Sequence, residues 1–276
     1  MKLHNIKLLR QLFLPLFSKI NPGNITINHH WTGERLLLHS FKHKGYWFYG
    51  KNRERKTMEL AAKLIRENDT IVEIGGHIGY LSLYFSSLVK GGKVYVFEPA
   101  YNNLPYLKEN LKTKENVVVI EKGVGSCNTH LPFYVENLTG QNNSFIINFP
   151  GYQKNKENAF YQEKNDVDEI LVEVVKLDDF VEQMNIVPNF IKVDVEGFEF
   201  EVIKGMLCTL ENFHPILMIE VQDNFEPIYQ MMKKYGYKML DENLNIINSH
   251  ERLWMNTFFL HQDAHYKILN NLNIPS

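Results

Sequence analysis

The chain has 276 residues, of which 44% are hydrophobic, enough to bury one substantial core and suited to one elaborated domain rather than two independent ones. Its 30 basic and 32 acidic residues leave a formal net charge of -2 with no long like-charge block, which excludes a general electrostatic drive toward nucleic acid. Cys127 and Cys208 lie far apart without metal-ligand spacing, which argues against a disulfide framework or a structural zinc site and points to a reducing, cytoplasmic setting.

The first twenty residues set Lys2, Lys7, Arg10 and Lys19 among leucines and phenylalanines. The apolar run is interrupted and no small-residue cleavage site follows, so the segment reads as neither a signal peptide nor a transmembrane span. Leu9, Leu12, Phe13, Leu16 and Phe17 would form one face of a helix, read as packing or a homodimer contact in preference to firm membrane association. Next, Ile25-Thr26-Ile27, Leu36-Leu37-Leu38 and Tyr46-Trp47-Phe48-Tyr49 are separated by turn formers such as Gly33 and Gly45, which predicts three short strands. Residues 1–54 thus read as an N-terminal helix and β extension, and 55–276 as the catalytic domain. Met58, Leu60, Ala61, Leu64 and Ile65 recur at helical spacing and predict a helix from Glu54 to Ile65.

The most informative stretch follows. Ile71, Val72 and Ile74 form an apolar run suited to a central parallel strand, and Gly75 and Gly76 permit a tight turn close to a ligand. Gly79 lets the next helix start against the sheet. A second apolar strand, Val94 to Phe97, ends at Glu98, about twenty residues beyond the last glycine, the spacing at which such folds bind ribose hydroxyls. From Glu73 the pattern is Glu-x-Gly-x-x-x-Gly, not GxGxxG, which fits S-adenosylmethionine better than NAD. His77, inside the turn, is either a cofactor or substrate contact or an ordinary polar loop residue.

Helices over 79–89 and 102–112 and a strand over 117–120 complete a βαβαβ order, hence an α/β, doubly wound, Rossmann-like sheet with its ligand crevice beyond the carboxyl ends of the strands. Residues 122–170, polar and asparagine-rich, read as an inserted loop region or lid. Alternation resumes with Leu171 to Leu177, a helix from Asp178, a strand over 190–194, a helix over 198–210 and a strand over 216–221. A helix over 225–235 and strands near Lys238 and over 254–260 close the chain.

Lys192, Asp194 and Glu196 alternate and would project to one side if the strand stays extended that far. Two carboxylates and an ammonium at the mouth of a parallel sheet hold a substrate hydroxyl, accept its proton or orient a metal. The ordinary alternative pairs Lys192 with a neighbouring acid and makes Glu196 a helix cap. Glu220 is a charge in an otherwise buried strand and needs either a partner or a chemical task. His214, before Pro215, reads as structural; Tyr46 to Tyr49 could stack on a sugar or aromatic acceptor, but read as core in preference, since alternating strand faces would bury two of them.

Four stretches together resemble the FkbM-type methyltransferase family: Val72 to Tyr80, Val96-Phe97-Glu98-Pro99 with Asn103, Lys176 to Phe180, and Ile191 to Glu199. The resemblance spans roughly residues 55 to 222, with Glu73 where the family usually has Asp and Gly76-His77 where Ala-Asn is common. It implies a class I methyltransferase fold, S-adenosylmethionine as donor, and O-methylation of a hydroxyl on a sugar, glycolipid or secondary metabolite, a small-molecule or glycan acceptor. On that basis Glu73, Gly75 and Gly79 shape the methionine side of the cofactor site, Glu98 holds the ribose diol, Gly123 and Val124 border the adenine, and Asp194 sits near the transferring methyl. The rival readings are an NAD-dependent oxidoreductase and a non-catalytic nucleoside-binding module. No residue set is assigned to a metal.

Overall fold

The computed structural model describes residues 22–137, 140–147, 167–253 and 255–274. The amphipathic face expected at Leu9 to Phe17 lies outside the described residues, as does the part of the expected lid over 148–166.

Strands β1 (Asn24–Asn28) and β2 (Arg35–His39) form an antiparallel hairpin in which Ile25 faces Leu38 and Ile27 faces Leu36. Alternation buries Leu36 and Leu38 completely. The expected third strand is instead a short helix, α1 (Lys44–Tyr49). Aromatic residues favour a strand only where a neighbouring strand receives them. The hairpin sheet has two strands, and the helical turn buries Tyr46 while leaving Phe48 57% and Tyr49 43% exposed.

Helix α2 (Arg55–Leu64) buries Met58, Ala61 and Leu64, the face expected from their spacing, and leads into β3 (Thr70–Ile74). Helix α3 (Tyr80–Leu88), β4 (Lys93–Phe97), α4 (Leu104–Leu111) and β5 (Val117–Ile120) follow. All fall within a few residues of expectation.

The segment after β5 departs from it. Strands β6 (Gly123–Gly125), β7 (Thr129–Glu136) and β8 (Val167–Lys176) form a separate sheet of order β6-β8-β7, with β7 antiparallel to β8 from Thr129 opposite Val174 to Glu136 opposite Val167. Phe133, Val135 and Val172 bury one face of it around Ala100. The asparagine-rich text at 137–144 obscured the alternating Leu131 to Val135, and the strand expected at Leu171 to Leu177 belongs to this second sheet.

Helix α5 (Leu177–Met184) and β9 (Phe190–Val193) return to the main sheet. The single helix expected over 198–210 is two, α6 (Glu199–Lys204) and α7 (Leu207–Phe213). The break is steric: at Gly205 a Cβ would lie 2.0 Å from the Gly125 carbonyl oxygen, so the chain presses backbone to backbone against β6. Strand β10 (Ile216–Val221), α8 (Phe225–Lys234), β11 (Tyr237–Leu240), β12 (Met255–His261) and a further helix, α9 (Tyr266–Asn271), complete the chain.

The main sheet has the order β11-β12-β10-β9-β3-β4-β5. The four pairings from β10 to β5 are parallel, and β12 runs antiparallel to both its neighbours. Both faces are covered. One packs Ile71, Val96, Phe190 and Met218 against Met58, Phe85 and Leu107, with Leu36 and Leu38 of the hairpin in the same cluster. The other packs Val72, Tyr95, Ile191 and Leu217 against Val181, Val202, Leu210 and Met232. Each such side chain stabilises the fold by roughly 1.5–3 kcal/mol. Buried Asn110 ties the hairpin to the layers of the main sheet: its Oδ1 accepts from Leu37 N at 2.6 Å, and its Nδ2 donates to Leu37 O at 2.9 Å and Ile78 O at 2.8 Å.

Candidate active site

Strands β3 and β9 lie side by side, and the chain leaves them toward opposite edges of the sheet, so the crevice beyond their carboxyl ends is the topological switch point. The two chain ends meet there at backbone distance. Asp194 N donates to Ile74 O at 3.0 Å. At Gly75, with φ 90°, a Cβ would fall 1.9 Å from the Asp194 carbonyl oxygen. No other residue type fits this position without moving one strand end.

A cleft of about 390 Å³ opens at this point. Gly75, His77, Glu98, Gly123 and Val124 line it, as do Asp194, Glu196 and Glu220. The remaining expected site residues lie behind its wall. Glu73 is buried and accepts from Ser82 Oγ at 2.6 Å, and burial pushes its carboxyl up to about 7. Gly76 and Gly79 face Val96 and Leu107, where their missing side chains let α3 approach β4 and α4. Lys192, 2% exposed, donates from Nζ to Gly75 O at 2.7 Å and pairs with Asp194 Oδ2 at 3.2 Å. Burial works against its charge, but Asp194 and Glu73 outweigh that and raise its pKa above the ordinary lysine value. It remains an ammonium.

At the end of the cleft expected to take the nucleoside, Glu98 closes β4 with 4% exposure. Its Oε2 accepts from His77 N at 2.7 Å and its Oε1 from Ala100 N at 2.9 Å, while burial pushes the carboxyl up to about 7. Asn103 Nδ2 bonds Gly140 O at 3.0 Å, and its buried Oδ1 has no partner.

The opposite end concentrates acid. Strand β9 stops at Val193, and Glu196 and Gly197 take φ of 55° and 97°, so the expected alternation does not reach Glu196; the turn, not the strand, brings it into the cleft beside Asp194. Gln222 Nε2 donates to Glu196 Oε2 at 3.1 Å. Burial, then the charges of Asp194 and Glu220, push the Glu196 carboxyl well up; the charge of Asp194, then burial, push Glu220 up. With the Glu196 and Glu220 carboxyls both pushed up, this end of the cleft retains protons at neutral pH.

Tyr46, Arg53 and Glu54 complete this end from the N-terminal extension. The Arg53 guanidinium sits 4.4 Å from the Tyr46 ring centroid and 3.2 Å from Glu54. Tyr46 OH meets His77 Nδ1 at 2.9 Å, and burial pushes the phenol up to about 12. Burial lowers the His77 pKa well below its usual value, so the imidazole is neutral. Sequence reasoning treated Tyr46 as core and missed Arg53, Glu54 and Asn256; only the aromatic run carried a usable signal. Among the described residues no group of three or more His, Cys, Asp or Glu side chains is arranged to hold a metal ion, and no helix is long and apolar enough to cross a membrane.

A parallel sheet with one antiparallel strand near its edge, a glycine turn and an acid at the ends of adjacent strands, and a second acid across the switch point define a class I methyltransferase fold. The chain belongs to the FkbM methyltransferase family, whose domain matches residues 73–239. That membership fits S-adenosylmethionine as the cofactor rather than a nicotinamide dinucleotide.

Among curated relatives, the hexuronic acid methyltransferase AglP of Haloferax volcanii is 23% identical over 176 residues, 63% of this chain and 64% of that protein. The methyltransferase sdnD of Sordaria araneosa is 30% identical over 165 residues, 50% of this chain and 61% of that protein. The match therefore spans less than two thirds of these relatives' length. A solved FkbM methyltransferase from Methylobacillus flagellatus KT superposes with a TM-score of 0.49 at 18% identity, covering 74% of this chain and 47% of that one. The residues present fit the adenosyl donor: a backbone cradle at Gly75, a buried carboxylate at Glu98 and an unpartnered acceptor at Asn103.

Proposed function

We propose that this protein is an S-adenosylmethionine-dependent O-methyltransferase acting on a hydroxyl of a sugar, glycolipid or secondary metabolite. The observation that carries the reading is the Asp194 carboxylate, paired at 3.2 Å with a buried lysine and opening into the same cleft as Glu98. The name of AglP, a methyltransferase for a hexuronic acid, supports a sugar acceptor.

In this mechanism the bound donor supplies a methyl group on a sulfonium, an electrophile for an oxygen nucleophile. Glu98 and Asn103 hold the nucleoside, Gly75 and His77 border the methionine end, and Gly123 and Val124 border the adenine. Asp194 accepts the acceptor's hydroxyl proton. Lys192 beneath it aims that carboxylate, since the ammonium is itself fixed by Gly75 O and pairs with Asp194 Oδ2. Glu196 and Glu220, which retain protons, donate hydrogen bonds to neighbouring hydroxyls of a polyol. Positioning two reactants in one cleft supplies much of the rate.

Incubation of the protein with a sugar or lipid extract from the source cell and isotopically labelled donor is expected to yield a product carrying the labelled methyl as an ether, read by mass spectrometry. Label found on nitrogen or carbon, or no label in any extract, refutes the assignment.

A further inference from the structure

Glu98 is held partly by a residue whose own conformation is unusual. His77 has φ 48°, in the left-handed region that a residue with a side chain occupies only when its surroundings enforce it. That conformation aims the His77 N–H at Glu98 Oε2, at 2.7 Å. On the other side of the residue the imidazole is held by a single hydrogen bond. Nδ1 of the imidazole meets the Tyr46 hydroxyl at 2.9 Å, while Nε2 is buried without a partner. Tyr46 is thus the imidazole's one hydrogen-bond partner among the described residues. Ring contacts add only packing: His43 meets His77 edge-on at 5.2 Å, and the Tyr46 ring lies nearly parallel to it at 5.9 Å. Tyr46 itself is buried and weighted from above by Arg53.

We infer that Tyr46, on α1 and outside the family-matching region 73–239, is a positioning residue for the donor's ribose, acting through His77 on Glu98. The inference rests on the proposed function, in which Glu98 receives the ribose diol. Without the phenol hydroxyl the imidazole is unanchored, the left-handed turn relaxes, and Glu98 loses one of its two backbone donors. A carboxylate no longer held in place accepts the diol less well. The extension would therefore tune donor affinity as well as wall the acceptor end.

The test is calorimetry with S-adenosylhomocysteine and its 2′-deoxyribose analogue. The wild type is expected to favour the ribose form by at least about tenfold, the lower end for one hydrogen bond to a charged group. Tyr46→Phe keeps the ring under Arg53 and removes only the hydroxyl. It is expected to weaken S-adenosylhomocysteine about three- to tenfold while leaving the deoxy analogue nearly unchanged, so that discrimination narrows. Glu98→Gln should narrow it too, and adding Tyr46→Phe to Glu98→Gln should cost little more, as for two residues of one chain of contacts. His77→Asn, which tolerates the left-handed conformation but cannot make the same contact, is the second variant and should narrow the discrimination as Tyr46→Phe does, on top of a loss shared by both ligands at the methionine end that His77 borders. A Tyr46→Phe protein with an unchanged ratio, or with equal losses for both ligands, overturns the inference while wild-type binding leaves the proposed function standing. A wild type that ignores S-adenosylhomocysteine overturns both.

Discussion

The two ends of the cleft are built by different physics. At the nucleoside end one carboxylate, Glu98, is satisfied by backbone donors from His77 and Ala100, and its position follows from two adjacent parallel strands. At the other end Asp194, Glu196 and Glu220 crowd together, partnered by a buried lysine and a glutamine, with Tyr46, Arg53 and Glu54 brought in from about 140 positions earlier in the sequence. The first end is a rigid seat in which few residues carry the geometry. The second is an assembly of side chains from several elements, where electrostatic coupling sets the protonation state.

The largest test of that contrast is Asp194→Asn, expected to lower turnover by about 10²–10⁴-fold, the range for a general base, with S-adenosylhomocysteine affinity nearly preserved in calorimetry. Loss of both together would erase the division of labour between the ends. Gly75→Ala, at the seam between them, is expected to destabilise the protein by about 3 kcal/mol or more in urea unfolding, because the new Cβ meets the Asp194 carbonyl oxygen in a backbone conformation alanine disfavours.

A third test uses pH. Burial raises the Glu73 carboxyl to about 7 in the folded protein, so between its ordinary value of 4.5 and about 7 the folded state binds more protons than the unfolded one. Its contribution is therefore greatest below about 4.5, declines as pH rises through that window, and levels off above about 7. Glu73→Gln should flatten the decline of Tm across the window and raise stability at pH 8 by on the order of 3 kcal/mol. An unchanged pH profile would mean that Glu73 titrates normally. The smallest effect is expected on the second sheet's outer face. Leu171 is 70% exposed, and Leu171→Thr should change stability by no more than about 0.5 kcal/mol in the same unfolding assay.

Much of the cleft's Glu98 end is legible in the sequence. Ile71 to Ile74, the glycines and Glu98 announce themselves because a buried strand, a tight turn and a terminal acid are each written within a few residues. The acid end was legible only in part. Asp194 closes an apolar strand, but the expectation that Glu196 follows it by alternation failed, since the left-handed turn at Glu196 and Gly197 begins where β9 stops. The aromatic run at Tyr46 misled because aromatic residues suit strand and helix alike until a neighbour is known. The second sheet hid for a similar reason: β7 pairs with β8 across an asparagine-rich stretch whose composition reads as loop.

Taken alone, the order of amino acids determined the parallel α/β core, the FkbM resemblance and the acids at the strand ends, because hydrophobic period, glycine and chain direction act over short spans. The tertiary structure alone decided that Lys192 lies beneath Asp194, that Glu73 is sealed behind the cleft, and that Tyr46 reaches His77. Those facts depend on contacts between residues far apart in the chain, and no local pattern encodes which distant side chain will fill a given gap.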